Sequence, residues 1–197
     1  MVKSGSLTAV GILMILLGAC GESEQEQRPS EGQLETQREF LSNLSEYCGY
    51  AYAGQTEYFD LGDEALKDPD LLMLPDECDE DEVRIPFWVD DDRSRTWILN
   101  MQEYGLRLSH DHRYEDGTEH EANMYGGFAD TRGSSTKQFY PADQATIEDR
   151  PAREINVWST ELDLQNERYI YRLYLDGEKR FKAAFDLTDP IALDEVR

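Results

Sequence analysis

Two periodicities divide this chain. Over residues 34–53, LETQREFLSNLSEYCGYAYA, the apolar positions Leu34, Leu41, Leu44, Cys48 and Ala51 recur at helical spacing, with Phe40 and Tyr47 flanking the stripe. That spacing predicts one amphipathic helix, with Gly49 as its point of interruption. Residues 54–82 hold no sustained period; they are acidic, punctuated by Pro69 and Pro75, and read as loop. From residue 84 the period becomes two. Ile85, Phe87 and Val89 alternate with Arg84, Pro86 and Trp88; Trp97, Leu99 and Met101 alternate with Thr96, Ile98 and Asn100. REINVW and RYIYRLYL follow, and the turn Asp176-Gly177-Glu178 leads into KRFKAAFDL, which alternates Phe181, Ala183, Phe185 and Leu187. With one further hairpin this makes about eight short strands, most with one polar side, a pattern of antiparallel meander rather than of βαβ units. The predicted fold is mainly β, closing as a barrel or a curved sandwich over residues 84–197, with the N-terminal helix packed on it.

The further hairpin, LRLSHDHRYEDGTEH, carries all three histidines of the chain. Leu106, Leu108, His110, His112 and Tyr114 share one face of the strand; Arg107, Ser109, Asp111 and Arg113 share the other. The leucines mark the first face as the inner one. A two-residue type I′ turn at Asp116-Gly117 places His120 on the outer face. A three-residue loop with Gly117 left-handed pairs Tyr114 with Thr118 and His112 with His120, and keeps Ala122 and Met124 beside Leu108. The second register suits the apolar pattern better and brings His110, His112 and His120 into one inner patch. Three imidazoles so placed could hold a divalent transition metal. The competing reading is half-buried histidines hydrogen-bonded to tyrosine or aspartate neighbours. The His-x-His is similar to that on a strand of the cupin motif, but the glycine before it and the glutamate after it are out of place.

The leader MVKSGSLTAVGILMILLGAC has a short positive region at Lys3 and an uncharged apolar run, Leu7 to Leu17, far too short to span a bilayer. Its end, Leu17-Gly18-Ala19-Cys20, resembles the lipobox of bacterial lipoproteins. The resemblance implies that residues 1–19 are a signal peptide, that Cys20 becomes the mature N-terminus, and that it is lipidated by diacylglycerol and a further acyl chain such as palmitate. Several acyl chains make such an anchor essentially permanent. With Gly21 rather than aspartate after the cysteine, the same resemblance implies the outer membrane of a Gram-negative cell envelope, facing the periplasm. Residues 20–33, rich in Glu, Gln and Ser, read as a flexible acidic tether between lipid and a single globular domain, 34–197. The phrases DDRSRTW, LSHDHRYEDG and MYGG resemble a group of uncharacterised bacterial secreted proteins, which implies a shared domain and no particular activity.

Export changes how the cysteines are read. With Cys20 lipidated, Cys48 and Cys78 remain, and an oxidising compartment favours a disulfide between them. Formal net charge is −23, a field that repels phosphate backbones and argues against nucleic acid as a partner. It also disfavours docking on anionic membrane surfaces, which leaves contact with the membrane to the N-terminal lipid. The acid clusters DECDEDE and DDD lack the spacing and turn glycine of an EF-hand, and read as solvated surface. No Gly-x-Ser-x-Gly elbow, His-Glu-x-x-His motif or phosphate-cradling glycine loop occurs in the sequence. These features imply a lipid-anchored cell-envelope binding or accessory module. The alternative is a metal-dependent enzyme centred on His110, His112 and His120.

Overall fold

A computed structural model describes residues 1, 28–62 and 64–196. The expected signal peptide, Cys20 and most of the expected tether therefore lie outside the described residues. Helix α1 (Glu31–Ser45) starts inside the segment expected to be tether, because Ser30 and Gln33 form a reciprocal capping box. It also stops well before residue 53. Glu46 is its C-cap, Gly49 turns the chain at φ 90°, and the next ten residues form a strand. Tyr and Ala fit either structure, so the run YAYA prolongs the helical pattern without belonging to it.

Twelve strands replace the expected eight. They are β1 (Tyr50–Phe59), β2 (Leu71–Met73), β3 (Glu77–Cys78), β4 (Glu82–Val89), β5 (Asp92–Gln102), β6 (Gly105–His112), β7 (Tyr125–Phe128), β8 (Lys137–Pro141), β9 (Asn156–Asp163), β10 (Arg168–Leu175), β11 (Glu178–Asp186) and β12 (Ile191–Ala192). The segment read as acidic loop supplies most of β1, all of β2 and β3, and a short 3-10 turn, Glu64–Leu66. Two short helices, α2 (Gln144–Asp149) and α3 (Leu193–Val196), complete the elements, with a second 3-10 turn at Pro151–Arg153. Among the described residues no helix is long and apolar enough to cross a membrane.

The sheet is antiparallel throughout, in the order β7-β6-β5-β4-β2-β1-β11-β10-β9-β8. Its two end strands meet. Asp130 N–H donates to the Phe139 carbonyl at 2.9 Å, and Asp143 N–H donates to the Gly126 carbonyl at 3.0 Å. The result is a nearly closed barrel. Both sides of β7 depend on glycine: a Cβ on Gly126 would lie 1.8 Å from the Leu108 carbonyl oxygen on β6, and one on Gly127 would lie 1.7 Å from that of Pro141 on β8, across the seam. The glycines in MYGG are thus required by backbone approach.

Inward positions follow the alternation read from the sequence. Val83, Ile85, Phe87 and Val89 are buried on β4, as are Trp97, Leu99 and Met101 on β5 and Phe181, Ala183 and Phe185 on β11. Helix α1 covers one end of this core with Phe40, Leu41 and Leu44. Buried Gln37 secures it by accepting from the Leu106 amide at 2.9 Å and donating to the Ala129 carbonyl at 3.3 Å. Cys48 and Cys78 form the expected disulfide, with Cα atoms 6.5 Å apart, and tie the turn after α1 to β3. Strand β6 leaves the helix-covered end at Leu106 and reaches His112 about 20 Å further on, at ~3.3 Å per residue. The histidines therefore lie toward the other end of the barrel.

Candidate ligand-binding site

His110 and His112 point inward from β6, as the alternation predicts. His110 is 4% exposed. Its Nδ1 lies 3.1 Å from the carbonyl oxygen of Tyr125 on β7, and its Nε2 lies 2.7 Å from the hydroxyl of Tyr171 on β10. A carbonyl can only accept, so Nδ1 carries the proton and Nε2 accepts from the Tyr171 O–H. Burial holds this ring neutral, with its pKa pushed down to about 3, chiefly by desolvation. Half-buried His112 is pushed down to about 4, again chiefly by burial and then by the nearby Arg95 charge. Its Nε2 is 3.0 Å from the Tyr125 hydroxyl.

The hairpin after β6 takes the three-residue register. Gly117, at φ 83°, donates to the Tyr114 carbonyl at 2.9 Å; Tyr114 N–H donates to Thr118 O at 2.9 Å and His120 N–H donates to His112 O at 3.0 Å. The agreement ends there. After His120 the chain leaves the ladder, and β7 re-enters with His110 opposite Tyr125 and Leu108 opposite Gly127. Met124, expected beside Leu108, is instead exposed at φ 53°. Tyr125 takes the inner position.

This arrangement separates the histidines. His120 stacks on Tyr114, ring centroids 3.8 Å apart, and its centroid is 6.2 Å from that of His112. Among the described residues no group of three or more His, Cys, Asp or Glu side chains is placed to hold a metal ion. Of the three histidines expected to share a divalent transition metal, His110 has both ring nitrogens taken by protein partners. The hydrogen bonds of His110 and His112 go to tyrosines, as the competing reading expected.

Around these rings the barrel leaves a cavity of about 180 Å³. Its aromatic wall is continuous: Trp97 is stacked between Phe87 and Tyr171, with centroid separations of 4.3 and 4.4 Å. A second stack, His110 on Tyr125 at 4.6 Å, joins the first through the His110–Tyr171 hydrogen bond, and Trp158 leans on His110 at 5.0 Å. Arg153, from the 3-10 turn before β9, lies over the face of Tyr125 with its guanidinium carbon 3.4 Å from the ring centre. Arg95, paired with Asp92, reaches the cavity from β5. Burial raises the pKa of Tyr125 and raises that of Tyr171 well above its ordinary value, so both stay protonated.

Among the described residues lining the cavity there is no Ser, Cys, Asp or Glu. A pair of carboxylates for glycoside chemistry is therefore lacking among them. What the lining offers is flat aromatic surface, hydrogen-bonding phenols and neutral imidazoles, and cationic guanidinium groups. Such a set is suited to holding a small molecule. Sequence reasoning found His110 and His112 but missed Tyr125, Tyr171, Trp158 and Arg153. The alternation of RYIYRLYL marked Tyr171 as inward, while nothing local to PAREINVW distinguishes Arg153. The chain matches no family model and no curated protein.

Proposed function

We propose that this protein is a lipid-anchored cell-envelope binding module whose ligand site is the barrel cavity beside His110. One observation carries the reading: a cavity of about 180 Å³ remains among tightly stacked aromatic rings at the end of the barrel away from α1, with polar groups converging on it. A well-packed interior leaves few voids larger than a water molecule, and an aromatic cavity with a few polar groups is the usual form of a small-molecule site. The anchor is the lipidated Cys20 that the lipobox implies, holding the module at the outer membrane on the periplasmic side. The tether becomes shorter than expected, since α1 begins at Glu31.

The test is a small-molecule panel against the purified full chain, with ligand-detected magnetic resonance as readout. The panel spans single-ring and short aliphatic compounds of each charge. Saturable binding that disappears when Leu173→Trp fills the cavity, with melting temperature retained, supports the reading. No saturable binder at millimolar concentration overturns it.

A further inference from the structure

The charge of the cavity runs against that of the chain. The sequence has 42 Asp and Glu against 19 Lys and Arg, yet the described residues lining the cavity include two arginines and no acid. Arg95 has its counter-charge in Asp92. Arg153 has none. Among the described residues it is the one partly buried arginine without an ion pair, since every other partly buried arginine pairs with a carboxylate. Its Nη1 is buried without a hydrogen-bond partner, and its guanidinium carbon sits over the Tyr125 ring. A desolvated cation with an empty donor is costly to keep, and it is also a pre-set anchor for an anion. Neutral His110 and His112 contribute no compensating negative charge.

The size of the cavity limits the rest of the ligand. About 150 Å³ is enough to enclose one benzene molecule, so 180 Å³ admits a single ring and a small substituent. The walls that ring would meet are Phe87, Trp97, Trp158 and Phe181. We infer that the cavity takes a single-ring aromatic carboxylate, its ring against the aromatic wall and its carboxylate on the guanidinium of Arg153. This deepens the reading of the cavity as a binding site and depends on it.

Three compounds of one shape test it: phenylacetate, 2-phenylethanol and 2-phenylethylamine, titrated into the purified full chain by calorimetry and by emission of Trp97 and Trp158. Phenylacetate is expected to bind at least tenfold tighter than the alcohol, with the amine weakest. Arg153→Gln should erase the advantage of phenylacetate over the alcohol, and Arg153→Lys should restore part of it. The ranking in the unaltered protein does not depend on whether either variant folds. Equal affinity for phenylacetate and the alcohol, or tighter binding of the amine, overturns the anion assignment and leaves a binding module standing. Phenylacetate preference that survives Arg153→Gln in a folded variant overturns the role of Arg153. If none of the three binds while other panel members do, the ligand class is wrong; if nothing binds at all, the binding reading falls with it.

Discussion

His110 on β6 and Tyr171 on β10 are joined across the barrel interior by a hydrogen bond of 2.7 Å, although they are 61 residues apart in the chain. The bond fixes the imidazole tautomer and locks two aromatic stacks together. Removing the hydroxyl with Tyr171→Phe leaves His110 Nε2 buried without a donor, at an expected cost of about 1–3 kcal/mol. His110→Phe should cost a similar amount by stranding the Tyr171 hydroxyl. The double variant should cost less than the two combined, as measured by denaturant unfolding in a double-mutant cycle. Strict additivity would show that the bond is not made in solution.

The neutral histidines set a pH dependence. In the unfolded chain each titrates near 6.5, whereas His110 and His112 stay neutral in the barrel down to about 3 and 4. Folded-state values below the unfolded ones mean that their stabilisation is complete above about pH 6.5 and is lost as pH falls, because the unfolded state takes up the protons. His110, facing Tyr125, Tyr171, Arg107, Arg153 and His112, should contribute a slope of about 1.4 kcal/mol per pH unit between roughly pH 6 and 4. Unfolding free energies measured across that range should flatten in His110→Gln. An unchanged slope would mean that His110 is not held neutral.

The seam offers a separate test. Gly127→Ala must push β7 away from the Pro141 carbonyl, and should destabilise the protein by about 3 kcal/mol or more, at the upper end for overpacking. Hydrogen exchange should speed up first in β7 and β8. Wild-type protection at those amides in the variant would show an open sheet.

The disulfide encloses a loop of 30 residues in sequence separation. Replacing Cys48 and Cys78 together by serine should cost about 3 kcal/mol, mainly through the less constrained unfolded chain. The comparison is best made by urea midpoint against the oxidised wild type, with reduced wild type expected to match the variant.

Cys20 lies outside the described residues, and its role rests on the lipobox. Cys20→Ala should abolish incorporation of a palmitate analogue and move the protein out of the detergent phase. Labelling that persists in the variant would remove the anchor from the proposal.

Local pattern was enough to determine several features of this protein. The period-two runs identified β4, β5, β10 and β11 and their inward side chains, because alternation follows from the pleat whatever the strand pairs with. The apolar pattern favoured the three-residue register around Gly117, although Met124, on which it partly rested, is exposed, and the cysteine pair was legible from count and compartment. Tertiary structure decided what depended on partners distant in sequence. The first four residues of β1 read locally as helix and the rest as loop, and all become one strand because β2 and β11 supply its ladder bonds. The three histidines look alike in the sequence, but Tyr171 claims the free nitrogen of His110, and the chain leaves the ladder after His120. Arg153 carries no local signal. Its lack of an ion pair arises only when the barrel brings β6, β7 and β9 together around a cavity lined, among the described residues, by no carboxylate.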